Sequence, residues 1–237
     1  MGRVAVLIYG VVVYIAFVAV FSALPLFVGN LGIVRGIDAP PTGGVAVDLA
    51  LIAVFGVTHS VLARPAVKRA LARVNPPPVE RSSYVLVASA SFALLMWQWR
   101  ALPEVVWHIE TPVLRGVVWL VTATGVVLIV SSTLLTNHFD LFGLRQVWLH
   151  FRGRPYTPVP FVERSLYTRV RHPMMLGVLV WLWATPDMTV GHLVFAAGMS
   201  AYVFVGTAFE ERELRRTVGA PYDDYRQRVR AFLPFRK

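Results

Sequence analysis

At 237 residues the chain is 56% hydrophobic and only 15% charged, where soluble domains carry about 25% charged residues; an ordinary water-soluble globule is excluded. There are no cysteines, which rules out disulfides, thiolate metal sites and cysteine nucleophiles. The net charge of +10 would suit nucleic acid, but it follows the layout of a membrane protein instead.

The first apolar run, Val4–Val28, is long enough to cross a hydrocarbon core of about 30 Å and has no small-residue cleavage site near its end, so it reads as a span and not as a removed signal peptide. Further spans are expected at Val45–Ala63, Ser83–Leu102 and Val113–Thr136. With a cytoplasmic amino terminus, all of the 23 Lys and Arg except Arg35, Arg100 and Arg115 fall on the inside. That asymmetry is the positive-inside rule, and it places both termini in the cytoplasm.

The outer links are short. Gly29–Gly44 holds the turn-rich APPTGG, and Pro103–Pro112 carries Trp107 at an interface position. The inner loop Arg64–Arg81 predicts a short basic helix broken by the prolines of NPPPVERS, with Ser82 or Ser83 capping the next span.

The last apolar region differs from the first four spans. Pro173–Thr185 gives only 13 residues before Pro186–Asp187, a helix of roughly 20 Å that barely spans. Gly191–Phe209 is of normal length, so the two form a tight helical hairpin returning the chain to the cytoplasm. Beyond it, EERELRRTVGAPYDDYRQRVRAFLPFRK predicts a soluble helix, a stop at Gly219–Pro221 and a second helix with Tyr222, Tyr225, Val229 and Phe232 on one face. The expected fold is an all-α integral membrane protein of five to six transmembrane helices, one domain over 1–237. Residues 1–136 supply four spans, and residues 137–237 supply the cytoplasmic loop, hairpin and tail.

Polar chemistry gathers on the cytoplasmic side. Pro173 suits the first position of a helix, so Arg171 and His172 stand at a helix amino terminus, which already favours anions. Two cations there want a carboxylate or phosphate; lipid headgroups are the plain alternative. Glu210 and Glu211 pose the complementary problem at a helix carboxyl end, which prefers cations. Pairing with Arg215 and Arg216 along the helix is one answer, and the more natural one for Glu213. Glu210, nearest the membrane, could instead take an ammonium or ribose hydroxyls while Arg171 or His172 takes a carboxylate, which together suits an amino-acid-like zwitterion. No phosphate-binding loop or dinucleotide glycine pattern is present.

His138 and Asp140 share the loop after the fourth span. An imidazole near its normal pKa is the usual proton acceptor, and a loop histidine satisfied by backbone is the competing role. The histidines are dispersed and no His-x-x-x-His pair exists, so no metal site is expected.

RHPMMLG followed by EERELRRTVGAPYDDYRQRVRAFLP resembles the carboxyl-terminal signature of the isoprenylcysteine carboxyl methyltransferase and phospholipid methyltransferase superfamily. The match takes in Arg171, His172, Pro173, Gly177, Glu210, Glu211, Gly219, Tyr222, Tyr225, Arg228 and Pro234. Leu214 is one place late, and Met175 stands where a tyrosine is usual. FGVTHSVLARPAVKRAL, VERSSYVL and NHFDLFGLRQVWL are similar to the membrane methanethiol S-methyltransferases, a resemblance running from about Phe55 to the end. Membrane proteins named for nitrite and nitric-oxide reductase clusters share parts of it.

The resemblance implies a cytoplasmic-facing pocket for S-adenosylmethionine, with Tyr167, Arg171, His172, Met175, Gly177, Glu210, Glu211, Tyr222 and Arg228 as cofactor-binding residues. It implies direct methyl transfer to a small thiol, methanethiol giving dimethyl sulfide, with His138 taking the thiol proton and Asp140 orienting it. The partners expected are a small thiol and membrane lipid, with neither nucleic acid nor a required protein. Methylation of a lipid amine or of a prenylcysteine carboxylate is a second possibility, a non-catalytic membrane accessory protein a third. A reductase using a nicotinamide cofactor is disfavoured, since no nicotinamide features are present.

Overall fold

The computed structural model describes residues 2–40, 43–161 and 163–233; Pro41 and Thr42 of the expected turn, and Pro234 of the tail motif, lie outside the described residues. The chain is an all-α integral membrane protein. Among the described residues, five helices are long and apolar enough to cross a membrane: α1 (Arg3–Val28), α2 (Val45–Leu62), α4 (Pro77–Gln98), α5 (Pro112–Leu135) and α9 (Val190–Thr217). Between them come α3 (Pro65–Leu71), β1 (Val105–His108), α6 (His138–Leu141), α7 (Leu144–Phe151), a 3-10 turn (Ser165–Thr168), α8 (Pro173–Trp183) and β2 (Asp187–Thr189), and α10 (Ala220–Arg228) follows.

Four local expectations change. The prolines of NPPPVERS start the third span instead of preceding it, since Pro76 is its N-cap and Pro77 its first residue. A proline loses nothing there, because that N–H has no helical partner. Ser82 and Ser83 therefore lie inside α4 and cap nothing. The last span does not stop at Phe209; α9 runs on through the charged EERELRR as one helix and breaks before Gly219, whose φ of +75° suits glycine. A short two-stranded ribbon, β1 with β2, occupies part of the outer link Pro103–Pro112 and the stretch between the two arms of the expected hairpin.

The chain forms two compact units. The first comprises residues up to Glu104, His138–Val159 and the opening turn of α9. In it α1 packs on α4, and Tyr9 Oη lies 2.9 Å from Ser83 Oγ. Gly10 leaves room for Val147 of α7, whose methyls would lie 2.5 Å from an added Cβ. Val6, Val79 and Val147 form the buried cluster of this end, while Phe27, Trp99 and Phe195 meet edge-to-face at the other. Asp48 is fully buried and accepts the Arg100 N–H at 2.8 Å.

In the second unit α5 lies along α8. A Cβ on Gly177 would stand 2.7 Å from Gly125 O and 2.9 Å from Ile129 N, so two glycines let the backbones approach, as small residues do between membrane helices. The opposite side of α5 shows Val113, Leu120, Val127 and Leu134, all exposed. Their spacing of seven makes one apolar stripe, the side suited to lipid. At the other end of this unit, Tyr222, Tyr225 and Val229 pack on Leu214 and Val218, so the tail face expected from periodicity is a buried core.

The glycine contact gives a direct stability test. Gly177→Ala must push backbone against backbone, which costs about 1–3 kcal/mol, and should lower the unfolding temperature in detergent. Gly116→Ala, with nothing within 4 Å of the new Cβ, should not. Equal melting of the two variants would show that the close approach carries no weight.

Candidate functional site

The segment before α8 is fixed by backbone pairing. Val170 bridges to Arg230, the Arg171 N–H donates to Arg230 O at 2.9 Å, and the His172 N–H donates to Ala231 O at 3.0 Å. His172 is the N-cap and Pro173 the first residue of α8, as the sequence predicts. The side chains of Arg171 and His172 thus leave a braced backbone.

Both point to one carboxylate. Arg171 donates its Nε to Glu211 Oε1 at 2.9 Å and its Nη2 to the same oxygen. His172 Nε2 lies 3.0 Å from that oxygen, and Arg226 Nε is 3.3 Å from Oε2. The remaining Arg171 nitrogen donates to Val229 O. Arg171 and Glu211 are only 8% and 15% exposed, so this is a shielded ion cluster. The cation pair expected to greet a ligand anion meets an internal one instead.

Glu210 is different. Its side chain is 51% exposed, with His172 Nδ1 at 3.7 Å. Successive helical residues point about 100° apart, so Glu211 turns inward and Glu210 outward. Nearby, burial pushes the Tyr167 hydroxyl up, the Glu210 carboxylate adds to this, and a hydrogen bond with Thr136 works against it. Burial, then the Glu211 carboxylate, drives Tyr222 up to about 12. Both phenols stay protonated near neutral pH. Tyr225 donates to Tyr167 O at 2.6 Å, pinning the 3-10 turn to α10. Phe232 lies 6.0 Å from the His172 ring and 5.4 Å from Phe204, giving this corner aromatic faces.

Tyr167, Arg171, His172, Glu210, Glu211 and Tyr222 are therefore gathered in the second unit. Met175 sits half-buried on the first turn of α8. Gly177 faces α5 as a packing residue, and Arg228 is an exposed partner of Glu163 at 3.0 Å. Arg226 was missed from sequence, although it stands one turn after Tyr222 on the same helix.

His138 and Asp140 belong to the first unit. His138 Nε2 is 2.8 Å from the hydroxyl of Tyr14, and burial holds the imidazole below its ordinary pKa. The Asp140 carboxylate accepts from Arg145 at 2.7 Å and from the Tyr156 hydroxyl at 3.2 Å. Arg145 also reaches the carbonyl and hydroxyl of Thr157, each at 2.8 Å, so Asp140 organises the loop after α7. Tyr14 carried no sequence signal: it is one aromatic inside a long apolar run, 124 residues away.

Residues 49–233 match the family described as NnrU protein. The chain is 46% identical to the methanethiol S-methyltransferase of Mycobacterium tuberculosis, covering 99% of this chain and 98% of that protein. It is 45% identical to methanethiol S-methyltransferase 2 of Bradyrhizobium diazoefficiens, over 98% and 91% of the two chains. Nurim of Rattus norvegicus is 29% identical over 75% of this chain and 71% of its own. No solved structure matches. With identity of this extent and a family match from α2 to the tail, the chain belongs to the NnrU protein family, alongside the membrane methanethiol S-methyltransferases.

Proposed function

We propose that this chain is a methyltransferase that uses S-adenosylmethionine to convert methanethiol to dimethyl sulfide. The observation that carries the proposal is 46% identity over 99% of the chain to a protein named methanethiol S-methyltransferase. Membrane residence suits it, because a small apolar thiol partitions into lipid. The basic loops support a reaction on the cytoplasmic side, by the positive-inside rule.

S-adenosylmethionine, when bound, supplies a methyl group activated on a sulfonium, and it also carries an ammonium, a carboxylate and a ribose. The residues of the second unit suit it by charge. Glu210 is the carboxylate left exposed for an ammonium or for hydroxyls, and the aromatic faces of Phe204 and Phe232 suit a cation. Tyr167 and Tyr222, protonated at neutral pH, are hydrogen-bond donors. Arg171 and Arg226 hold Glu211, which acts as the brace that keeps His172 and the tail in place. Met175, lacking the usual hydroxyl, leaves an apolar surface on α8 suited to a small thiol.

The chain's own chemical task is to make and shelter a thiolate, since that is the nucleophile. His138 takes the thiol proton on its imidazole, and its lowered pKa keeps the ring neutral and able to accept. The protein would hold that thiolate away from water, where loss of opposite charges on reaction with a bound sulfonium would be favoured because few solvent dipoles oppose it. Asp140 holds the loop that carries His138.

Purified protein given labelled S-adenosylmethionine with methanethiol, phosphatidylethanolamine and a prenylcysteine should yield labelled dimethyl sulfide; label confined to lipid would reject the thiol. His138→Ala should abolish turnover while donor binding persists, and undiminished turnover would remove its role. The wild-type rate should fall as acid protonates His138, with a midpoint below the ordinary histidine value because burial lowers that pKa.

Two adjacent glutamates should separate binding from stability. Glu210→Gln should weaken donor affinity about tenfold, the loss of one charge-assisted hydrogen bond, and leave melting unchanged. Glu211→Gln leaves buried guanidinium unpaired, which costs about 3–5 kcal/mol, and should lower the melting temperature sharply. Identical behaviour of the two variants would contradict the division of roles.

A further inference from the structure

Within the first unit, α1 presents one hydroxyl to α6. Tyr14 Oη lies 2.8 Å from His138 Nε2, with the two rings edge-to-face at 5.8 Å. Aromatic rings also crowd the imidazole. Phe139 is at 5.5 Å and Phe142 at 4.8 Å, and Phe142 stacks at 4.0 Å on Phe17, one turn beyond Tyr14 on α1. Phe17 and Tyr14 are therefore a matched pair, one gripping the segment by stacking and the other meeting its titratable group.

Consider what that group must do when it gains a proton. A neutral imidazole has one donor and one acceptor nitrogen, but an imidazolium has two donors. Nε2 then carries a hydrogen, and the phenol oxygen 2.8 Å away must accept it. In an apolar surround a cation forfeits hydration, so this acceptor is a principal compensation available to the charged ring. Of the charged and titratable groups around α6, Asp140 takes Arg145 and Tyr156, and Arg81 of α4 donates to Leu141 O.

We propose that Tyr14 is a positioning residue for proton transfer, accepting the Nε2 hydrogen of His138 so that the imidazolium is oriented and stabilised as the substrate thiol is deprotonated. The inference rests on the proton-acceptor role proposed above for His138. The step balances simply: the thiol S–H bond breaks, its proton joins the ring, the sulfur keeps the electron pair, and the Tyr14 O–H bond stays intact. A mid-helix tyrosine on a largely apolar span is thereby given a reason to carry its hydroxyl.

Tyr14→Phe keeps the ring and removes the oxygen. Turnover of methanethiol should fall about tenfold while KM for the methyl donor stays unchanged. The acid limb of the pH–rate profile should move to lower pH by about one unit, because a hydrogen bond to a charged group is lost from the protonated form. A role in folding alone would scale the whole profile without moving the limb. Should the phenylalanine variant fail to fold, 3-fluorotyrosine at position 14 keeps the shape, stays protonated along the acid limb and weakens the oxygen as an acceptor, and should shift the limb in the same direction by less. A Tyr14→Phe profile that superimposes on wild type, beside an inactive His138→Ala, overturns the role of Tyr14 alone. Full activity of His138→Ala overturns the proton acceptor and Tyr14 together.

Discussion

One carboxylate organises the second unit. Glu211, near the end of α9, draws Arg171 and His172 from the start of α8 and Arg226 from α10. A buried carboxylate without partners is costly, and so is a buried guanidinium, so each fixes the other. Three chain segments far apart in sequence are tied at one point, and the Val170–Arg230 bridge repeats the tie through the backbone. The consequence for chemistry is a division of labour. Because Glu211 absorbs the cations, Glu210 one residue earlier is left with its charge toward solvent, available to something brought from outside.

The spans were legible because the bilayer leaves little choice: an apolar run of about twenty residues must satisfy its backbone internally, as a helix. Their ends were less legible. Pro77 was taken as a breaker because proline disrupts a helix interior, yet at the first position it costs nothing. The end of α9 was placed where hydropathy drops, at Phe209. Hydropathy reports where lipid ends, not where a helix ends, and EERELRR is a good helix former that simply carries on.

The site was half legible. The motif pointed to Arg171, His172, Glu210 and Glu211, and the structure does bring them together. Which carboxylate faces which way was implicit in helical geometry once the helix was known to run through both. The pairing of Arg171 with Glu211 was not, because it depends on how α8 and α9 pack. Gly177 shows how one motif can mix purposes, since its lack of a side chain serves the α5 contact. The partner of His138 was hidden altogether: long-range contacts of single aromatic residues leave no periodic trace.

The short helix α8 raises the question of how eleven residues serve in a layer built of longer spans. At about 1.5 Å per residue they cover about 16 Å. Extended chain advances about twice as fast, and after a bend at Pro186 the chain is strand over Asp187–Thr189: Pro186 O accepts from Ile109, Thr185 O accepts from the Trp107 indole at 3.1 Å, and Asp187 meets Arg115. Thr122 of α5 donates to Ala184 O where the helix gives out. Non-helical backbone needs partners for its polar groups, and β1, Trp107 and α5 supply them here. The Pro-Asp that seemed to cut the span short is the point where strand takes over from helix. A short α8 then keeps its first residue, and the His172 that caps it, beside the braced cluster of Glu211 instead of extending past it.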